Sequence, residues 1–155
     1  MSEKLEGSCF CKSVRFRLTQ HPMFVHCCHC LNCQSQTGSA FVLNALIETD
    51  RIEMISGELE ITTVESGSGK PHDIYRCSVC RTAVWSDYGR RPGIRFVRLG
   101  TLDDPSVLSP DVHIFTRSKL PWVRLPEGVP SFEVLYKARE AWPAESLERL
   151  AAVTG

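Results

Sequence analysis

Residues 27–33 read Cys27-Cys28-His29-Cys30-Leu31-Asn32-Cys33. Two shorter clusters flank this run, Cys9-Phe10-Cys11 before it and Cys77-Ser78-Val79-Cys80 after it, and the three together hold all 8 cysteines of the 155-residue chain. A C-x-x-C turn curls two sulfurs toward one point, which suits Zn–S bonds of about 2.3 Å in a tetrahedron. A C-x-C pair on a bent segment converges its thiolates in a similar way. The chain starts Met1-Ser2-Glu3-Lys4-Leu5-Glu6, with no apolar core, so no secretory signal is read and the expected compartment is the cytoplasm. A reducing compartment disfavours structural disulfides, and clustered cysteines there read as metal ligands. All-thiolate tetrahedra select zinc or iron–sulfur clusters; zinc is the expected ion.

Ligand counting divides the sulfurs. A closed structural site takes four protein ligands, whereas a reactive site keeps one position open. Cys9, Cys11, Cys77 and Cys80 suffice for one four-thiolate structural zinc, which would tie the start of the chain to its middle. Cys28, Cys30 and Cys33 remain for a second zinc held by three sulfurs. Its fourth position is then open to water or a substrate thiolate, unless the adjacent Cys27 or His29 fills it. The expectation is two Zn2+ per chain, one closed by four sulfurs and one held by three.

Hydrophobic residues make up 43% and charged residues 23%, the balance of an ordinary globular domain and not of a disordered chain. Lys+Arg and Asp+Glu both number 18, and thiolate-rich metal sites would make the loaded protein negative. That argues against a protein that grips nucleic acid by its phosphates. No apolar stretch approaches the ~20 residues that span a bilayer, so no membrane partner is expected.

Most of the chain has the short, alternating or β-branched runs of strands. Val14, Phe16 and Leu18 alternate with Arg15, Arg17 and Thr19; further strands are read at 40–46, 51–55, 59–64, 82–88, 94–99 and 112–116. The arginines of 94–99 are read as a solvated strand face. Residues 34–38 suit a short helical turn with a Gly38 stop. Residues 66–71 (Ser66-Gly67-Ser68-Gly69-Lys70-Pro71) lack phosphate-loop spacing and read as a hairpin connection. Near the end, Leu147, Leu150 and Ala151 share one helix face behind Pro143. The fold class is therefore mainly β with a short C-terminal helix.

The runs Cys9-Phe10-Cys11, Cys28-His29-Cys30-Leu31-Asn32-Cys33 and Arg76-Cys77-Ser78-Val79-Cys80 resemble the glutathione-dependent formaldehyde-activating enzyme family, which includes centromere protein V. So do Gly100-Thr101-Leu102-Asp103-Asp104-Pro105, His113-Ile114-Phe115 and Ser118-Lys119-Leu120-Pro121-Trp122. The resemblance implies an Mss4-like β-tent of small antiparallel sheets pinned by zinc, over residues 5–135, with 136–155 as a tail carrying the helix. It also implies the same partition of ligands, with structural zinc on Cys9, Cys11, Cys77 and Cys80 and catalytic zinc on Cys28, Cys30 and Cys33. Lys12 and Arg81 stand where the family usually has Gly after each structural pair, and Cys27 is an additional thiol.

The implied activity is a carbon–sulfur lyase or synthase acting on a small thiol–aldehyde adduct of the S-hydroxymethylglutathione kind. A zinc-bound thiol ionises at neutral pH and attacks an aldehyde carbon to give a hemithioacetal. His29, His72 and His113 are candidate proton donors, and spacing does not choose among them. The alternatives are a non-enzymatic zinc scaffold or partner-binding module of the same fold, and redox sensing at Cys27 and Cys28.

Overall fold

A computed structural model describes residues 5–154; residues 1–4 of the polar N-terminal segment, and residue 155, lie outside the described residues. In chain order the elements are β1 (Leu5–Ser8), β2 (Arg15–Leu18), β3 (Phe24–Cys28), α1 (Leu31–Thr37), β4 (Val42–Glu48) and β5 (Ile52–Ser56), then β6 (Leu59–Glu65), β7 (Pro71–Cys77), β8 (Ala83–Tyr88), β9 (Ile94–Arg98), β10 (Val112–Ile114) and α2 (Ala144–Thr154). The protein is mainly β, and no helix among the described residues is long and apolar enough to cross a membrane.

The alternation at 14–18 builds the smaller sheet, ordered β1-β2-β5 and antiparallel throughout. Val14, Phe16 and Leu18 are fully buried, while Arg15 and Arg17 on the other face pair with Glu6 across the strand. Phe16 packs edge-on against Trp85 of the larger sheet, with ring centroids 5.4 Å apart. β1 has no alternation that would announce it. It holds Gly7 opposite Phe16, where a Cβ would come within 2.5 Å of the Phe16 ring and 2.6 Å of the Thr101 carbonyl. Only glycine lets the strand pass there.

The larger sheet runs β10-β3-β4-β9-β8-β7-β6. It is wider than a set of small sheets, and its β10–β3 pair is parallel, while the other pairs are antiparallel. The alternation Val112-His113-Ile114 fixes which face each side chain takes, but not strand direction; the long connection after β9 brings β10 back parallel. Central strands feed two cores from opposite faces. Val25, Ala45, Ile47 and Val97 join Phe16 and Trp85 on one side, and Phe24, Cys28, Leu46 and Phe96 join Val112 and Ile114 on the other. Each fully buried Val, Ile or Phe contributes about 1.5–3 kcal/mol over its exposed state.

The residues expected to make a turn at 34–38 form the end of a longer helix, α1, which starts inside the cysteine run. Cys30 is its N-cap, its sulfur accepting the Cys33 N–H at 3.3 Å. Gly38 ends it at φ +65°, its N–H bonded to the Gln34 carbonyl at 2.8 Å. α2 covers the second core. Leu147, Leu150 and Val153 pack there beside Trp142, Ser146 donates to the Met23 carbonyl at 2.6 Å, and Arg149 grips Glu48 of β4 at 2.7 and 2.6 Å.

Candidate functional site

Two cysteine groups form where strands end. Cys9 follows β1, Cys11 lies in the next turn, Cys77 closes β7 and Cys80 sits in the turn before β8. Their sulfurs all lie within 4.8 Å of one another, with Cys9–Cys11 at 3.6 Å and Cys11–Cys77 at 3.8 Å across 66 residues. The backbone has the geometry of paired knuckles. The Val14 N–H points at the Cys9 sulfur (3.3 Å), and the Val79 and Cys80 N–H groups at the Cys77 sulfur (3.3 and 3.4 Å). Amides aimed at sulfur stabilise thiolates. With the Ser13 hydroxyl and those amides, the Cys77 thiol is pulled down to about 7; with the Thr82 hydroxyl and neighbouring amides, Cys80 is pulled down to about 5. Burial holds Cys9 up. This donor set fits a metal dication, since four convergent sulfurs with amide support are what a closed tetrahedral site requires.

The second group is Cys28, Cys30 and Cys33, again within 4.8 Å of one another. Cys28 is the last residue of β3, and the short helix beginning at Cys30 carries Cys33 back toward it. Cys30 is held low by sulfur and amide donors from Cys28 and Cys33, and its neighbours push Cys33 up, so the three thiols do not ionise independently. A metal at this point would displace their protons.

Cys27 and His29 do not join the triad. Consecutive strand residues point to opposite faces, and the structure gathers Cys27 and His29 with His113, which pairs with Cys27 across the parallel β10–β3 ladder. His29 Nε2 lies 2.9 Å from His113 Nδ1 and 3.5 Å from the Cys27 sulfur. All three are buried, and His29 Nδ1 has no hydrogen-bond partner among the described residues. Burial pushes Cys27 up to about 12 and His29 down to about 4, so both stay neutral at pH 7. Among the described residues, the triad therefore has three sulfur donors, and all three line a cavity.

That cavity, of about 990 Å³, is lined by the triad together with His72, Tyr88, Asn44 and Arg98 on its strand side and by Tyr136 and Trp142 from the C-terminal segment. Its polar floor was not legible in the sequence. Of the arginines of β9, expected on a solvated face, Arg98 is instead turned into the cavity, and Arg95, on the opposite face, is half-buried. Arg95 pairs with Asp87 at 3.3 Å, and Arg98, only 9% exposed, donates to Asn44 Oδ1 at 2.5 Å and Ser86 Oγ at 3.1 Å. In a sheet buried on both faces, an alternating polar position need not meet water. Ser86 also bonds His72 Nε2 at 2.8 Å, and the His72 ring stacks on Tyr88 at 4.0 Å. Burial, with the Arg98 charge adding to it, drives His72 down to about 4; burial raises Tyr88 to about 12. At neutral pH the floor thus carries a neutral imidazole, a protonated phenol and a guanidinium. On the other wall, Tyr136 Oη sits 2.5 Å from His26 Nε2 and accepts from Trp142 Nε1 at 2.7 Å.

Residues 4–118 match the family described as glutathione-dependent formaldehyde-activating enzyme. A Halomonas elongata protein named after the same family is 29% identical over 126 residues, covering 78% of this chain and 80% of its own. A Rhodobacter sphaeroides protein of known crystal structure aligns with a TM-score of 0.47 at 15% identity, over 68% of this chain and 91% of its own.

Proposed function

From the premise that this chain belongs to the glutathione-dependent formaldehyde-activating enzyme family, we propose that it makes or breaks the carbon–sulfur bond of a small thiol–aldehyde adduct, using glutathione or a similar thiol and formaldehyde or a similar aldehyde. The observation that carries this reading is the three-sulfur group, with no fourth donor gathered to it among the described residues, opening on a cavity large enough for a tripeptide thiol. The proposed ligands are Cys28, Cys30 and Cys33 for a catalytic zinc, and Cys9, Cys11, Cys77 and Cys80 for a structural one. When bound to the triad, zinc would supply an exchangeable coordination position for a substrate sulfur and lower that thiol's pKa; soft thiolate ligation suits thiol exchange better than water activation.

The chain's own residues do the rest. The sulfur lone pair of the substrate forms the bond to the carbonyl carbon, the carbonyl π pair moves to oxygen, and that oxygen takes a proton. Tyr88 faces the cavity with its proton in place at neutral pH, so it is the donor available to the developing oxyanion. His72 is held neutral and fixed by Ser86, which orients the floor and adds no positive charge to it. Tyr136 and Trp142 narrow the cavity from the opposite wall and limit its water.

The test is a cobalt-substituted protein titrated with glutathione. The visible bands of one of two metals shift if the triad site is open. Silence at both metals overturns the reading and favours a scaffold of the same fold.

A further inference from the structure

The arginines of β9 and α2 are not treated alike. Arg95 has Asp87 at 3.3 Å and Arg149 has Glu48 at 2.6 Å, both pairs largely buried. Arg98 is as deeply placed, yet no carboxylate among the described residues lies within 4.0 Å of it. Its partners are neutral. Asn44, its direct cross-strand neighbour on β4, holds one terminal nitrogen, and Ser86 of β8 holds the other. Two neutral acceptors fix the plane of a guanidinium but do not offset its charge, and a buried cation with no counter-charge is strongly disfavoured. Each terminal nitrogen carries two hydrogens, so those two bonds do not exhaust the guanidinium; the neutral Tyr88 phenol lies within hydrogen-bonding reach of it, and Arg98 lines the cavity.

The rest of the cavity has the same sign. Lys70, Arg91 and Arg117 also line it, against Glu65 as its one carboxylate among the described residues. We propose that Arg98 is a specificity residue that anchors a carboxylate of the substrate thiol, so that the cavity selects carboxylate-bearing thiols over neutral ones. This rests on the reading that a thiol enters the cavity beside Cys28, Cys30 and Cys33. A permanent anion fits better than the adduct's oxygen, which is charged only transiently and would leave Arg98 unmatched in the bound ground state as well as in the free protein. A planar guanidinium fork, held by neutral partners alone, matches one carboxylate in geometry and in charge. The rival explanation is that Arg98 serves only to balance the negative charge of a loaded triad.

The experiment compares 3-mercaptopropionate with 3-mercaptopropanol, thiols of the same chain length that differ in the carboxylate. Binding to the metal-loaded protein is measured by calorimetry, and cobalt spectra are recorded in parallel. The expected result is at least tenfold tighter binding of the carboxylate thiol to the wild type. Arg98→Gln removes that preference and leaves mercaptopropanol affinity within about twofold, and Arg98→Lys, with the charge but not the fork, retains part of it. Equal affinity of the two thiols in the wild type overturns the proposal whatever the variants do, and leaves the open metal site standing if the cobalt bands still move. Arg98-dependent binding of mercaptopropionate without any cobalt shift supports the anchor and overturns the open site. If neither thiol binds, both readings fall. A loss of metal content in Arg98→Gln with no change in the ratio of the two affinities assigns Arg98 to charge balance and also overturns the proposal.

Discussion

Lys12 and Arg81 occupy the left-handed region, at φ +70° and +66°, one residue after each cysteine pair. Their amides complete the two knuckles, bonding back to the Cys9 and Cys77 carbonyls at 3.2 and 3.0 Å. A side chain in that region is disfavoured by about 1–2 kcal/mol, while glycine loses about 0.5–1 kcal/mol more chain entropy on folding. The first effect is larger. Lys12→Gly and Arg81→Gly should therefore each stabilise the protein by about 0.5–1 kcal/mol in chemical denaturation with metal content unchanged. The side chains retain small compensations: Lys12 donates to Ser8 Oγ at 3.1 Å, and Arg81 pairs with Glu60 on the surface. Both departures from the glycine pattern were visible in the sequence, because a motif states its backbone requirement position by position. Arg98 was not visible in the same way. Whether an alternating arginine meets water depends on what covers its face of the sheet, and no local pattern encodes that.

Elements were legible where periodicity or a stop signal was strong. The alternation at 14–18, the runs at 59–64 and 94–99 and the Leu147-Leu150 stripe appear as β2, β6, β9 and α2. β1 was missed because four residues including a close-packed Gly7 carry no periodic signal, and α1 started early because a cysteine thiol serves as its N-cap. α2 is attached through an ion pair that makes its docking pH-dependent. Burial alone would raise the Glu48 carboxyl, but its hydrogen bonds and charge contact with Arg149 outweigh burial and leave it below the usual carboxylate range. A carboxyl depressed in the folded state contributes stability above its unfolded pKa, near 4.5, and that contribution fades as pH falls through the lower folded value. With side chains only 15% and 7% exposed, removing one partner should be expensive. Arg149→Met is expected to lose about 2–3 kcal/mol relative to wild type at pH 7 and to approach it below pH ~4. Urea melts of both proteins at several pH values check this, and an offset that persists unchanged into acid would show that the ion pair is not its source.

At the scale of the molecule, the four-sulfur group joins the end of β1 in the smaller sheet to the β7–β8 turn of the larger one, whereas the triad lies within one end of the larger sheet. The grouping of the sulfurs was legible because ligand number and spacing constrain it. The parallel β10–β3 pair and the sheet order were not, since strand direction is settled by long connections. The difference in position predicts a difference in consequence. Structural zinc contributes on the order of 10 kcal/mol of apparent folding free energy in small domains, comparable to the whole net stability of ~5–15 kcal/mol. The smaller sheet packs on the larger through one shared core that includes Phe16 against Trp85, and the proposed four-thiolate site adds a clamp across them. Cys77→Ser leaves three sulfurs at the clamp and is expected to abolish cooperative thermal unfolding, or to lower its midpoint by more than ~15 °C. Cys33→Ser removes a proposed ligand from a cluster walled by an intact sheet and by α2. It is expected to give a folded chain with one metal fewer and no cobalt response to glutathione. Metal content and circular dichroism melts on the two variants decide the matter. Equal unfolding of both would mean that the two sulfur groups do not divide anchoring from chemistry.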